Sequence, residues 1–248
     1  MARLSVVIPA LNDAEMLERC LTRLSEQTRQ ADEIVVVDNG STDNTAAVAR
    51  YFGARVVFEP VRGIPSATAA GLDAARGDIC ARLDADSVPA HDWLERIEKH
   101  FAEDPRLTAV TGSGDFYGSK AWVHWAGRRL YLGGYFWFFE WLLGHPPIFG
   151  SNCAIQTEAW HRIRDHFHRT EQRIHDDLDL SFQIQPDMTV KYDRDLTVGV
   201  SSRPLTSARR LTRGVWWGWT TVDANRQIEP DFERRSRRRL HEKRELAS

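Results

Sequence analysis

Asp78-Ile79-Cys80-Ala81-Arg82-Leu83-Asp84-Ala85-Asp86 runs from a buried-looking strand into two carboxylates one residue apart. A strand that ends this way can aim both carboxylates at one point, where a hard divalent cation finds the oxygen ligands it prefers. The tripeptide alone is a loose signal, because Asp-x-Asp recurs at Asp177/Asp179 and at Asp193/Asp195. A polar strand-to-helix turn that caps the following helix would read the same way. The surrounding chain decides between the two.

Upstream, Leu4-Ser5-Val6-Val7-Ile8-Pro9 reads as a buried strand, and Glu33-Ile34-Val35-Val36-Val37-Asp38 as a second. Arg55-Val56-Val57-Phe58 reads as a third. Met16, Leu17, Cys20, Leu21 and Leu24 recur at helical spacing after Asp13. Ser41 to Thr45 supplies capping residues for another helix, Ser66 to Ala75 is Ala-rich, and Asp92–Phe101 reads as a helix. Short apolar strands alternating with helices predict a parallel, helix-covered sheet, whose ligands bind at the carboxyl ends of the strands. Pro9, Asp38 and Asp84 all fall at such ends.

Downstream of about Thr111 the pattern changes, and Phe116 to Phe149 holds twelve of the 25 aromatic residues. Gly150 to Ile155 reads as a strand, with helices at Glu158–Phe167 and Asp177–Ile184. Two late strands are expected, Met188–Tyr192 and Leu196–Val200. The 248 residues suffice for a large α/β domain with its own core. With 33 basic against 35 acidic residues the net charge of −2 argues against a general nucleic-acid binder. Cys20, Cys80 and Cys153 are too few and scattered for a disulfide framework or zinc site. The N-terminus enters a strand directly without a secretory signal, so a cytoplasmic setting is expected.

Four segments now occur in order: Ser5-Val6-Val7-Ile8-Pro9-Ala10-Leu11-Asn12, Ile34 to Asp43, Gly77 to Asp86, and Asp176-Asp177-Leu178-Asp179-Leu180-Ser181. Together they resemble the family 2 glycosyltransferases, inverting enzymes of the GT-A fold, over roughly residues 4–200. The resemblance implies a Rossmann-like, mostly parallel sheet with helices on both faces. Within one domain it implies a nucleotide-sugar-binding half (1–111) and an aromatic-rich acceptor-binding half (112–205); beyond the resemblance, a basic helical extension (206–248) is expected. It implies a nucleotide-diphosphate sugar as donor, held by Pro9, Ala10, Asn12, Asp38, Asn39 and Asp84. Mn2+ or Mg2+ would lie on Asp84 and Asp86 and neutralise the departing diphosphate. Asp177 would be the general base for the attacking hydroxyl. Asp176, His175 and Trp137 are acceptor-side candidates. Asp38 can also be read as a cap or turn former, and one of Asp176, Asp177 and Asp179 as a helix cap.

The chain departs from the family pattern in three places. Asn39 stands where many relatives carry a second Asp, and Val88 where some carry a further metal ligand. Ala67-Thr68-Ala69-Ala70-Gly71 replaces a common Ala-Arg-Asn-x-Gly, so Arg62 or Arg209/Arg210 would have to meet the diphosphate.

Leu130 to Leu143 is 14 residues with Glu140 inside, too short for the roughly 20 apolar residues of a spanning helix. It reads as core, as an acceptor wall or as an interfacial segment, and Trp216-Trp217-Gly218-Trp219 adds a second aromatic cluster. Residues 232–244 carry a net +5, which fits either a solvated end or contact with anionic lipid. The acceptor is therefore expected to be a hydroxyl or phosphate, lipid-linked or of the cell envelope. Two other functions compete with transfer. A nucleotidyltransferase would need a Gly-rich basic loop after the first strand, which Pro9-Ala10-Leu11-Asn12 is not. A degenerate nucleotide-sugar-binding scaffold would retain the crevice without the chemistry.

Overall fold

The computed structural model describes residues 2–117, 133–201, 208–228 and 231–245. Its sheet has eight strands: β1 (Leu4–Ala10), β2 (Glu33–Asp38), β3 (Arg55–Phe58), β4 (Ile79–Arg82), β5 (Val88–Pro89), β6 (Leu107–Tyr117), β7 (Cys153–Gln156) and β8 (Thr189–Ser201). They lie in the order β3-β2-β1-β4-β7-β6-β8-β5. The first four pair in parallel, as the βαβ alternation predicts. β7 then runs antiparallel to both β4 and β6, β6 and β8 are parallel, and β5 closes the edge antiparallel to β8.

Alternation along β1 divides the core. Leu4, Val6 and Ile8 face a cluster with Leu17 and Leu21 of α1 (Ala14–Ser25) and Trp93 and Ile97 of α4 (Trp93–Glu103). Val7, with Val35 and Val37, faces Ala67 and Leu72 of α3 (Ile64–Ala74) and Trp160 of α6 (Thr157–Ile163). α2 (Thr45–Tyr51) joins the first layer through Ala49. The three cysteines are buried free thiols.

Leu107–Tyr117 is a single strand, so the 111/112 boundary between the two halves lies within β6 of their shared sheet. Two sequence expectations are corrected. The two late strands are one, β8, whose register against β6 jumps from Gly112↔Asp193 to Ser113↔Thr197. Asn152 fills that irregularity: its amide donates to Ser113 O at 2.8 Å and Leu196 O at 2.7 Å, and its oxygen accepts from Trp93 Nε1 at 2.7 Å. The helix expected over 158–167 ends at Ile163 and tightens into a 3₁₀ turn at Arg164–His166.

The remaining helices are α5 (Gly133–Leu143), α7 (Asp176–Gln183), α8 (Ala208–Ile228) and α9 (Asp231–Glu245). Leu142 and Leu143 of α5 meet Leu178 and Phe182 of α7 and Val222 of α8 in a third small core. One face of the basic extension is packed. Arg234 and Arg238 of α9 are buried, and Arg238 donates to Gln185 O and Met188 O just beyond α7. Arg234 lies over the Phe182 ring and Arg235 over Trp141. Among the described residues no helix is long and apolar enough to cross a membrane.

Candidate active site

The carboxyl ends of β1 and β4, with the turn after β2, open onto a cleft of about 690 Å³. Pro9, Ala10, Asn39, Arg62, Asp84 and Asp86 all border it. Asn39 does so chiefly as a scaffold. Its amide donates to Glu59 O and Val61 O, and its oxygen accepts from Gly63 N, so it shapes the loop that carries Arg62. Asn12 and Asp38 are not on the wall. Asn12, at φ 54°, accepts from Thr42 N and ties the turn after β1 to that after β2. Asp38 accepts from Ser41 N at 2.8 Å, the bond of a turn former. The opposite wall comes from Gln172, Arg173 and Ile174, with Trp217 of α8. No local signal in the sequence marks 172–174 as part of this cleft. Arg62 and Arg173 are the guanidinium groups at its edge. The Arg209 and Arg210 side chains lie outside the described residues.

Asp84 and Asp86 both face the cleft from the end of β4. Asp84 is held from behind by Arg82 Nη2 at 3.1 Å and accepts from the Ser151 hydroxyl. Two carboxylates one residue apart, open to a cleft with cationic edges, suit a hard cation shared with a diphosphate. Among the described residues no cluster of three or more His, Cys, Asp or Glu surrounds them, so substrate oxygens and water would complete such a shell.

Asp177 lies in the first turn of α7, where Oδ2 accepts from Gly150 N at 3.1 Å and Oδ1 from Leu178 N at 2.7 Å. Consecutive residues of one loop thus reach both candidate carboxylates: Gly150 touches Asp177 and Ser151 touches Asp84. Burial, and next the Asp176 charge, push the Asp177 carboxyl above its ordinary range, while His175, Arg82 and the Gly150 N–H pull it back. A raised carboxyl pKa is what a general base near neutral pH needs.

Asp176 has a different place from the one expected. It is buried and accepts from Arg82 Nη2 at 2.8 Å and Thr68 Oγ1 at 2.7 Å, so it anchors Arg82 instead of facing an acceptor. Burial opposes the charge on Arg82, but Asp176 and Asp84 more than offset it and raise its pKa. The guanidinium passes Gly150 so closely that a Cβ there would stand 2.2 Å from Nη1. Arg82 thus links the candidate carboxylates, and the sequence reading left it unused. An arginine inside a buried strand run was the available signal.

On the far side of Asp177 lies a second cavity, of about 440 Å³. Tyr135, Phe138 and Phe139 of α5 wall it, together with Trp219 and Val222 of α8 and His175. The aromatic segment is therefore wall as well as core. Trp137 is not part of that wall, being 72% exposed. Helical spacing turns it away from Phe138 and Phe139. His175 does face the cavity, with Nε2 donating to Gly214 O at 2.9 Å and its ring 6.0 Å from that of Trp217. Ile174 and Trp217 border the first cleft while His175 and Gly218 border the second, so the two meet along these segments.

The chain belongs to the family 2 glycosyltransferases: the model of Glycosyl transferase family 2 matches residues 5–164. Among its relatives, glycosyltransferase AglE of Haloferax volcanii is 37% identical over 100 residues, covering 37% of this chain and 33% of its own. An uncharacterized glycosyltransferase of Mycobacterium bovis is 46% identical over 110 residues, 44% of this chain and 47% of its own. The chain thus matches less than half the length of either relative. Among solved structures, a mannosyltransferase of Pyrobaculum calidifontis in complex with GDP-Man and Mn2+ superposes with TM-score 0.60 at 22% identity, covering 80% of this chain and 56% of that one. Glucosyl-3-phosphoglycerate synthase of Mycobacterium tuberculosis gives 0.56 at 23%, covering 80% and 71%. At these identities the likeness establishes the α/β GT-A fold.

Proposed function

We propose that this glycosyltransferase moves a sugar with inversion from a nucleotide-diphosphate sugar to an acceptor hydroxyl or phosphate, lipid-linked or of the cell envelope. The observation that carries the reading is that Asp177 borders an aromatic cavity adjoining the Asp84/Asp86 cleft and is linked to Asp84 through Gly150-Ser151. The diphosphate would lie between Arg62, Arg173 and the Asp84/Asp86 pair. A Mn2+ or Mg2+ ion on that pair would supply charge neutralisation for the leaving group. Asp177 would take the proton of a hydroxyl attacking from the opposite side, and the walls of the second cavity would exclude water.

A degenerate binding protein is the competing reading, favoured by Thr68 standing in the α3 position where relatives often carry arginine. A panel of nucleotide sugars, assayed for hydrolysis with and without Mn2+, separates the two. Metal-stimulated release of nucleoside diphosphate supports the transferase. Binding without any turnover supports the scaffold.

The same proposal sets the protein at an anionic membrane surface on the cytoplasmic side. Exposed Trp137, Trp141, Trp216 and Trp219 on α5 and α8 support it, as does Arg235 over Trp141. With Arg234 and Arg238 turned inward, the aromatic face carries more of this contact than the tail.

A further inference from the structure

The second cavity limits the chemistry of the acceptor. Among the described residues, only Asp177 and His175 of its lining are readily charged. His175 already donates its Nε2 proton to Gly214 O. The nearby guanidinium groups are committed elsewhere. Arg82 lies behind Asp177 on Asp176 and Asp84, Arg173 borders the first cleft, and Arg213 lies over the Trp217 ring. Neither lysine nor arginine is among the described residues of the cavity wall.

A phosphate acceptor fits this lining poorly. It would bring negative charge beside the Asp177 carboxylate, with no lysine or arginine among the described residues of that wall to balance it. Like charges at such close range repel, the more so where water is excluded. Phosphate sites are built from arginine, lysine or convergent N–H groups, and the Gly150 and Leu178 N–H groups here are bonded to Asp177 instead. A phosphate also arrives ionised and has no use for a base, whereas a hydroxyl needs one. A bare sugar acceptor would set several hydroxyls against Phe138, Phe139, Trp219 and Val222. Each one left without a partner would weaken binding.

We propose that the acceptor is a neutral hydroxyl on an amphipathic molecule, whose apolar part fills the cavity between α5 and α8 and whose hydroxyl points at Asp177. This rests on the transferase reading above and narrows its acceptor. In the step, the hydroxyl oxygen forms a bond to the anomeric carbon as that carbon's bond to the diphosphate oxygen breaks. The diphosphate leaves with the electron pair of the broken bond, and the hydroxyl proton passes to Asp177.

The test takes whichever nucleotide sugar the full chain hydrolyses and offers octyl glucoside, free glucose and dodecyl phosphate as acceptors. Octyl glucoside is expected to be glycosylated with a KM roughly tenfold or more below that of glucose, from burial of its alkyl carbons. Dodecyl phosphate is expected to be a poor acceptor. Trp219→Ala, at the exposed rim, should raise the KM for octyl glucoside more than it lowers kcat, and flatten the dependence of KM on alkyl chain length. Faster transfer to dodecyl phosphate, equal KM values for glucose and octyl glucoside, or donor hydrolysis with no alkyl product would each overturn the acceptor class while leaving the transferase reading intact. Failure to bind any nucleotide sugar would overturn that reading itself, and this one with it.

Discussion

Arg82 of β4 donates to Asp176 of α7 across 2.8 Å, and both side chains are buried. The same Nη2 stands 3.1 Å from Asp84, so one guanidinium joins the carboxylate pair of the cleft to the helix that carries Asp177. Removing one partner of a buried pair strands the other charge, which typically costs about 3–5 kcal/mol. Arg82→Met should therefore lower stability by that order in urea unfolding. An unfolding midpoint within error of the wild type would show that the link does not hold β4 to α7.

Asp177→Asn should retain nucleotide binding and lose transfer by about 10²–10⁴-fold, the usual weight of a general base. Because its pKa is raised, the acidic limb of the wild-type kcat/KM profile should lie above the ordinary Asp value of about 3.9. The facing groups are Asp176, His175, Arg82 and the Gly150 N–H. The sign for stability is opposite to that for activity. The folded chain holds this proton more tightly than the unfolded chain, so the contribution is full below the unfolded pKa and is lost as pH rises through the raised folded value. Asp177→Asn should then melt higher than wild type at neutral pH. A variant both active and unchanged in melting would remove Asp177 from the role.

Asp86→Ala should abolish the dependence of nucleoside diphosphate binding on Mn2+, because one of the two carboxylates facing the cleft is gone. Calorimetric titration with and without the ion reads this directly. Identical metal dependence in variant and wild type would count against the site.

His145 lies buried before β7, its Nδ1 donating to Pro146 O at 2.8 Å. Burial, with Arg238 and Arg234 of α9 adding to it, pushes its pKa down from 6.5 to about 3. The unfolded chain binds this proton more readily, so the stability it contributes is present above the unfolded pKa and is lost as pH falls toward the folded one. Between pH 6 and 5 the wild type should lose about 1 kcal/mol more than His145→Asn, which keeps a donor at the δ position. Parallel pH profiles for the two proteins would contradict the burial of a neutral imidazole.

Binding to vesicles rich in anionic lipid should fall more on replacing Trp137 and Trp141 with serine than on removing residues 232–248. The tryptophans stand out from α5, while two of the tail's arginines are buried. Sedimentation at low and high salt checks this. Binding that disappears with salt and with the tail alone would return the contact to simple electrostatics.

Local rules made much of this protein legible in its sequence. β-branched runs separated by helix-period segments gave the parallel half of the sheet, and strand ends carrying Pro9, Asp84 and Asp86 located the cleft. Those are properties of neighbouring residues, and periodicity reports them. The tertiary structure alone decided the rest. Asp176 and Asp177 are adjacent in sequence, but one turns inward to Arg82 and Thr68 while the other reaches Gly150 and the aromatic cavity. Trp137 and Phe138 are likewise neighbours on α5, and helical geometry sends one outward and the other to the wall. The opposition of β7 to β4, the register jump filled by Asn152 and the approach of 172–174 to β1 depend on contacts between residues far apart in the chain. Such pairings are set by which faces can be buried together and which polar groups can be satisfied at once, and no short window of sequence contains either.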